Sequence, residues 1–278
     1  MPLNLSILSL PKLTIFATIV TALSCGRLAS SLSAITMGAT KMVPKLVLVD
    51  RDGVVNHDVG APGVIRASQL ELTPGAALAL GRLRRAGCTV ALITNQSCVG
   101  KGLITEADLV DKIHGRLQEI LLEQDQDAKF DHIFYCTSLA DANDHRMKPN
   151  PGMIEEAMKL VFESDAAVHR SSFYDSVLFV GDALRDMEAA TRAGVRTRIL
   201  VETGYGREIM GGEKAPNLDG EVKVVSEAQS NTKLAAAPDN TSDDSPKPSI
   251  FPFLYAKNLH SAVEWVITST DTTTSTGT

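Results

Sequence analysis

The sequence predicts an α/β fold built on a central parallel sheet, and three observations carry that prediction. Short apolar runs alternate with segments of helical periodicity, the pattern of strands joined by right-handed helical crossovers. The runs are apolar throughout, as strands covered on both faces require. Several of them end abruptly in small polar or charged residues, and the loops beyond the C-terminal ends of parallel strands are where such sheets place their chemistry.

The first strand is expected over 46–50, where Leu46-Val47-Leu48-Val49 runs into Asp50-Arg51-Asp52-Gly53. An irregular loop reaches Thr73, and a helix follows over 75–86, introduced by Pro74-Gly75 and stopped by Gly87. Strand 88–94 ends in Thr94-Asn95-Gln96-Ser97. Thr105, an N-cap residue followed by Glu106 and Asp108, opens a long helix over 105–124. Strand 132–136 comes next, then Lys148-Pro149 just ahead of a helix over 151–163. Strand 177–181 runs into Gly181-Asp182-Ala183-Leu184-Arg185-Asp186, and helix 185–193 leads through Gly194 to strand 196–201. The connections over 58–73 and 95–104 are too short for a separate cap domain. An open active site follows, with specificity resting on the loops around 57–66 and 136–146.

The chain divides into a segment 1–42, a core 43–206, an insertion 207–250, a helix 251–268 and a tail 269–278. Residues 207–250 are rich in Gly, Ser, Asn, Asp and Pro, with little apolar content beyond 222–225, and are expected to be disordered. The pattern recovers over 251–267, where Leu259, Val263, Val266 and Ile267 make one helical face able to dock on the sheet. Ahead of the core, no acidic residue precedes Asp50, and the stretch is rich in Ser, Thr, Leu and Ala with Lys12, Arg27 and Lys41 scattered through it. That is the composition of a targeting segment, and its apolar stretch over 13–23 is too short to span a bilayer. A two-part signal into a plastid accounts for both halves. Mitochondrial import is the second reading, and a cytoplasmic enzyme begun at Met37 or Met42 the third.

The formal net charge of −6 and pI near 5.5 offer no extended basic surface, which argues against nucleic-acid binding. The mature protein is expected to be a monomer with no membrane-inserted segment. The four cysteines, Cys25, Cys88, Cys98 and Cys136, lack paired or metal-like spacing, so a disulfide-free domain is expected.

The polar strand ends suggest one reaction. Alternation along an extended chain points Asp50 and Asp52 to the same side, which suits a nucleophile beside an acid/base. Small hydroxyl and amide groups over 94–97, with free backbone N–H donors, can hold phosphate oxygens. Taken in order, Asp50/Asp52, Thr94, Lys148 and Asp182/Asp186 resemble the four motifs of the haloacid dehalogenase (HAD) superfamily of phosphatases. The resemblance covers about residues 45–205. The longer strings Asp50-Arg51-Asp52-Gly53-Val54-Val55-Asn56, Thr94-Asn95-Gln96-Ser97 and Lys148-Pro149-Asn150-Pro151-Gly152-Met153 are most similar to the branch of D-glycero-D-manno-heptose 1,7-bisphosphate and histidinol-phosphate phosphatases.

The resemblance implies a three-layer Rossmann-like HAD fold and a Mg²⁺-dependent phosphatase that works through an aspartyl-phosphate, with a small phosphorylated sugar as substrate. Asp50 is then the nucleophile, and Asp52 a general acid/base kept protonated by its negative neighbours. Thr94 and Lys148 steady the transferring phosphoryl group, and Asn95, Gln96, Ser97 and Arg146 contact substrate. The metal falls to Asp50, Asp182 and Asp52, the last through a main-chain oxygen, while Asp186 orients the metal shell or Lys148. The same branch commonly carries a zinc loop of one histidine and several cysteines before the motif lysine. Here only Cys136 remains, with Thr137, Ser138, Asp144 and Arg146 around it, so zinc is not expected. Met147 replaces the arginine usual before the lysine, and Ala183 the lysine usual after Asp182. Histidinol phosphate is the rival substrate, and a catalytically silent binding module of the same fold is the reading from a different class.

Overall fold

The structure, a computed structural model, describes residues 43–162, 174–227 and 249–271. The segment 1–42 and most of the tail therefore lie outside the described residues. The strands are β1 (Leu46–Val49), β2 (Thr89–Asn95), β3 (His132–Cys136), β4 (Val177–Gly181), β5 (Thr197–Val201), β6 (Lys223–Val225) and β7 (Phe253–Ala256). The helices are α1 (Ala76–Arg85), α2 (Ser97–Gly100), α3 (Gly115–Gln124), α4 (Gly152–Phe162), α5 (Leu184–Arg192), α6 (Gly206–Ile209) and α7 (Leu259–Asp271). A π-helical stretch, Asp108–His114, leads directly into α3, so the long helix expected over 105–124 is π-helical in its first half.

All seven strands form one sheet in the order β3-β2-β1-β4-β5-β7-β6, parallel except for β6, which runs antiparallel to β7 at the edge. Each central strand is buried on both faces, which is why each reads as an unbroken apolar run. Val47, Val49, Val90, Leu92 and Val180 face a core layer shared with α1, α3 and α7. Leu46, Leu48, Ala91, Ile93 and Phe179 face the layer under α4 and α5. Side chains alternate along β1, so Asp50 continues the row of Leu46 and Leu48 toward the layer beneath α4.

Two expectations need correction. Residues 253–256, expected at the start of the C-terminal helix, form β7, which pairs with β5 before α7 begins at Leu259. The buried Arg198 guanidinium donates to the carbonyls of Val195, Ile250 and Pro252, satisfying acceptors where the chain enters β7. Within the stretch expected to be disordered, residues 207–227 hold part of α6, a 3₁₀ turn and the edge strand β6. Residues 228–248 lie outside the described ones. The loop after β1 forms no cap domain. It folds back on itself through a bridge between Asn56 and Leu72, and Val64 packs on Leu109 and Ile113 of the π-helical stretch.

Candidate active site

The C-terminal ends of β1, β2 and β4 bring the expected polar residues together. Asp50 is almost fully buried, and its N–H donates to Val180 O at 3.0 Å, which fixes the end of β1 against β4. Lys148, buried just ahead of α4, places its Nζ 2.9 Å from Asp50 Oδ1 and 2.7 Å from Asp186 Oδ1 and donates to Ile93 O at 2.9 Å. Asn95 holds the lysine's backbone from both sides, donating to Lys148 O at 2.9 Å and accepting from Lys148 N at 3.0 Å. Asp186 Oδ2 accepts the N–H groups of Asp182 and Ala183 at 3.2 and 3.0 Å, locking the start of α5.

Asp50, Asp182 and Asp186 each turn a carboxylate oxygen into one buried pocket, all within 4.8 Å of one another. Burial pushes Asp50 up to about 6, with Lys148 pulling it down and Asp186 pushing it up. Burial pushes Asp182 up to about 8, helped by Asp186 and Asp50. Asp182 Oδ2 accepts the Tyr205 N–H at 2.9 Å, while its Oδ1 is buried with no hydrogen-bond partner. Such an orphaned oxygen in an all-carboxylate cluster fits a hard divalent cation. Close approach here requires glycine: a Cβ on Gly53 or Gly204, both at positive φ, would collide with Asp182 Oδ2.

Asp52 differs from the sequence expectation. Burial alone would raise its pKa, but the Arg51 guanidinium and hydrogen bonds from Arg51, Asn56 and Gln96 outweigh burial and hold it below the usual carboxylate range. Its ionised side chain is occupied by these donors and stands outside the acidic cluster, so only its backbone is left to contribute to a metal site. Asn95 and Gln96 are present but act on the protein: Asn95 on Lys148, and Gln96 on Thr94 Oγ1 at 2.9 Å and Asp52 Oδ2 at 3.3 Å. Ser97 opens α2. Arg146 is turned to the side of α4, where its Nε lies 2.9 Å from Glu156 Oε1.

The loop over 136–146 is gathered by Asp144. Its carboxylate accepts from the Ser138 hydroxyl, from Cys136 Sγ at 3.5 Å and from Arg146 N at 2.8 Å. His145 Nε2 lies 2.8 Å from Glu155 Oε2. The possible metal donors of this loop are thus taken up in two separate pairs, Cys136 with Asp144 and His145 with Glu155.

Three contributors were not singled out in the sequence. Arg185, whose guanidinium lies 5.9 Å from the Tyr205 ring centroid, brings positive charge to Asp186, Asp50 and Asp182 although Ala183 supplies none. Arg51 and His114 are buried, Arg51 bonded to Asp52 and His114 in turn 3.3 Å from Arg51. Only the short G-D-x-x-R-D spacing hinted at Arg185; nothing in the sequence pointed to His114.

Residues 34–194 match the family model of haloacid dehalogenase-like hydrolases. The chain is 36% identical over 172 residues to D-glycero-D-manno-heptose-1,7-bisphosphate 7-phosphatase of Chlorobaculum tepidum, covering 59% of this chain and 81% of the relative. It is 32% identical over 177 residues to the D-glycero-beta-D-manno-heptose-1,7-bisphosphate 7-phosphatase of Escherichia coli, covering 59% and 82%. The crystal structure of D,D-heptose 1,7-bisphosphate phosphatase from B. bronchiseptica, complexed with magnesium and phosphate, superposes with a TM-score of 0.57 at 28% identity, covering 81% of this chain and 98% of that one. The chain belongs to the haloacid dehalogenase-like hydrolases, as a phosphatase that cleaves phosphoric monoesters.

Proposed function

We propose that this phosphatase acts on a small phosphorylated sugar, of the D-glycero-D-manno-heptose 1,7-bisphosphate kind, with Asp50 as nucleophile. The observation that carries the reading is the buried Asp50 carboxylate, held 2.9 Å from Lys148 and beside Asp182 at the end of β1. The substrate class is taken from relatives of at least 32% identity whose own names specify that sugar.

Asp50 attacks phosphorus, the bond to the ester oxygen breaks, and the departing oxygen takes a proton from Asp52. Water then attacks the aspartyl-phosphate, Asp52 takes the proton released, and the bond from phosphorus to Asp50 breaks. In the free enzyme Asp52 is a carboxylate, the state needed for that second step. An arriving phosphate dianion raises its proton affinity and readies it for the first. Lys148 and Thr94 balance charge on the phosphoryl oxygens. Asp50, Asp182 and a main-chain oxygen of the 50–52 turn would hold Mg²⁺, with Asp186 fixing Lys148. Bound there, Mg²⁺ offsets the repulsion between carboxylate and phosphate.

Phosphate release from heptose 1,7-bisphosphate, other sugar phosphates and histidinol phosphate, with and without Mg²⁺, tests this. The reading expects the highest kcat/KM on a sugar phosphate; a preference for histidinol phosphate would replace the substrate, and no release from any would remove the function. We also propose that residues 1–42 direct the chain to an organelle, a plastid first. A fluorescent reporter fused to them and remaining in the cytoplasm would contradict this.

A further inference from the structure

We propose that Arg51 and His114 form a buried positioning pair whose task is to aim Asp52 at the leaving group. The inference rests on the acid/base role given to Asp52 above. Arg51 is 0% exposed, although it sits in the loop that leaves β1. Its Nε reaches Asp52 Oδ1 at 3.2 Å and its Nη2 reaches Asp52 Oδ2 at 2.9 Å, a fork across both oxygens of the neighbouring residue. The remaining arm, Nη1, lies 3.3 Å from Nε2 of His114.

A guanidinium can only donate, so His114 must accept at Nε2 and carry its proton at Nδ1. Burial pushes His114 down to about 3, with Arg51 acting in the same direction, so the ring is neutral and its lone pair available. The Tyr135 ring lies against it, with centroids 5.6 Å apart. His114 ends the π-helical stretch, whose buried side carries Leu109, Ile113 and His114; helices widened in this way recur at functional sites.

A purely structural ion pair would be expected to tie distant elements together. Arg51 and Asp52 are chain neighbours, so their bond ties nothing distant; what it fixes is the direction of the Asp52 carboxylate. Asn56 Nδ2 at 2.9 Å and Gln96 Nε2 at 3.3 Å hold the same two oxygens from the other sides. With the arginine anchored by His114, Asp52 cannot swing away from the direction these donors give it.

Proton donation matters for an alkoxide leaving group and little for a nitrophenolate. Each variant is therefore assayed on a sugar phosphate and on p-nitrophenyl phosphate under single-turnover conditions that read release of the leaving group, because the proton Asp52 takes from water in the second step is common to both substrates. His114→Leu leaves Nη1 unpaired and should slow alcohol release from the sugar phosphate about 10- to 100-fold, with substrate affinity and nitrophenolate release within about threefold of wild type. His114→Gln, which keeps an acceptor, should behave like wild type. Equal loss on both substrates, or a glutamine variant as impaired as the leucine one, overturns the proposal. If the leucine variant does not fold, Arg51→Lys, which keeps the charge without the fork, is read on the same two substrates by the same criterion. Wild-type protein inactive on every alkyl phosphate would instead refute the functional reading on which the pair rests.

Discussion

Replacing Lys148 with methionine keeps most of the side chain's volume and removes its charge. The ammonium lies 2.9 Å from Asp50 and 2.7 Å from Asp186, so its loss leaves three buried acidic side chains within 4.8 Å of one another, with the charge of Arg185 still acting on them. At an effective dielectric of about 20, each contact contributes roughly 5 to 6 kcal/mol of attraction. Desolvation of the ions offsets much of that, and breaking such a buried pair costs about 3–5 kcal/mol. Proton uptake sets a ceiling, because the cluster can always neutralise one carboxylate. Holding an aspartate protonated at pH 7 costs about 4 kcal/mol from its ordinary 3.8, but Asp50 at about 6 already bears most of that beside Lys148, so neutralising it in the variant adds about 1–2 kcal/mol at pH 7 and almost nothing at pH 5. The sign follows: an aspartate whose folded pKa rises is fully tolerated below its unfolded value and penalised as pH increases. Ile93 O, left without its donor, adds about 1–2 kcal/mol at either pH. Urea unfolding of metal-free Lys148→Met should therefore show a loss of about 2–4 kcal/mol near pH 7 that shrinks by about 1–2 kcal/mol near pH 5. A loss under about 1 kcal/mol near pH 7, or one that does not shrink in acid, would refute the reasoning.

His114 gives a pH signature of its own. Its folded pKa of about 3 lies below the ordinary 6.5, so only the unfolded chain gains a proton between those values, and stability falls as pH drops through 6.5. From pH 7 to 5.5 this amounts to about 1 kcal/mol, and the stability difference between wild type and His114→Gln should change by that amount; a constant difference would show the ring is not held neutral. Gly204→Ala, which drives a methyl into Asp182, should raise the Mg²⁺ concentration for half-maximal activity about tenfold or more, while Gly220→Ala, also at positive φ but facing open space, should not. Equal effects at the two glycines would assign the change to backbone strain. Elemental analysis of untreated protein should find no stoichiometric zinc, and one zinc per chain would show that the loop around Cys136 and Asp144 binds metal after all.

The core and the gathering of Asp50, Lys148, Asp182 and Asp186 at the strand ends were legible because they rest on local signals. Leu46-Val47-Leu48-Val49 reads as a strand buried on both faces because it is one of several such runs that alternate with helical segments, and a charge such as Asp50 directly after it has no packing explanation. Strand β7 was missed because Phe253-Leu254-Tyr255-Ala256 is too short for its period to separate strand from helix, and its partner β5 is far away in sequence. The protonation of Asp52 was misjudged for a related reason: Asp50 was visible two residues away, whereas the fork from Arg51 and the amides of Asn56 and Gln96 exist only once the turn has folded. Arg146 reads as a free cation until α4 brings Glu156 beside it. His114, between Ile113 and Gly115 and three residues before Leu117, has a place beside the apolar face of its helix, but nothing in the sequence names Arg51 as its partner.

The central claim is that phosphate passes through Asp50, and covalent trapping addresses it directly. Wild-type protein given a phosphate-labelled sugar phosphate and Mg²⁺, then quenched in acid within the first turnover, should carry label on the peptide containing Asp50. Asp50→Asn, with the same fold, should carry none and release no phosphate. Label on a different residue, or steady phosphate release with Asp50 never labelled, would contradict the account.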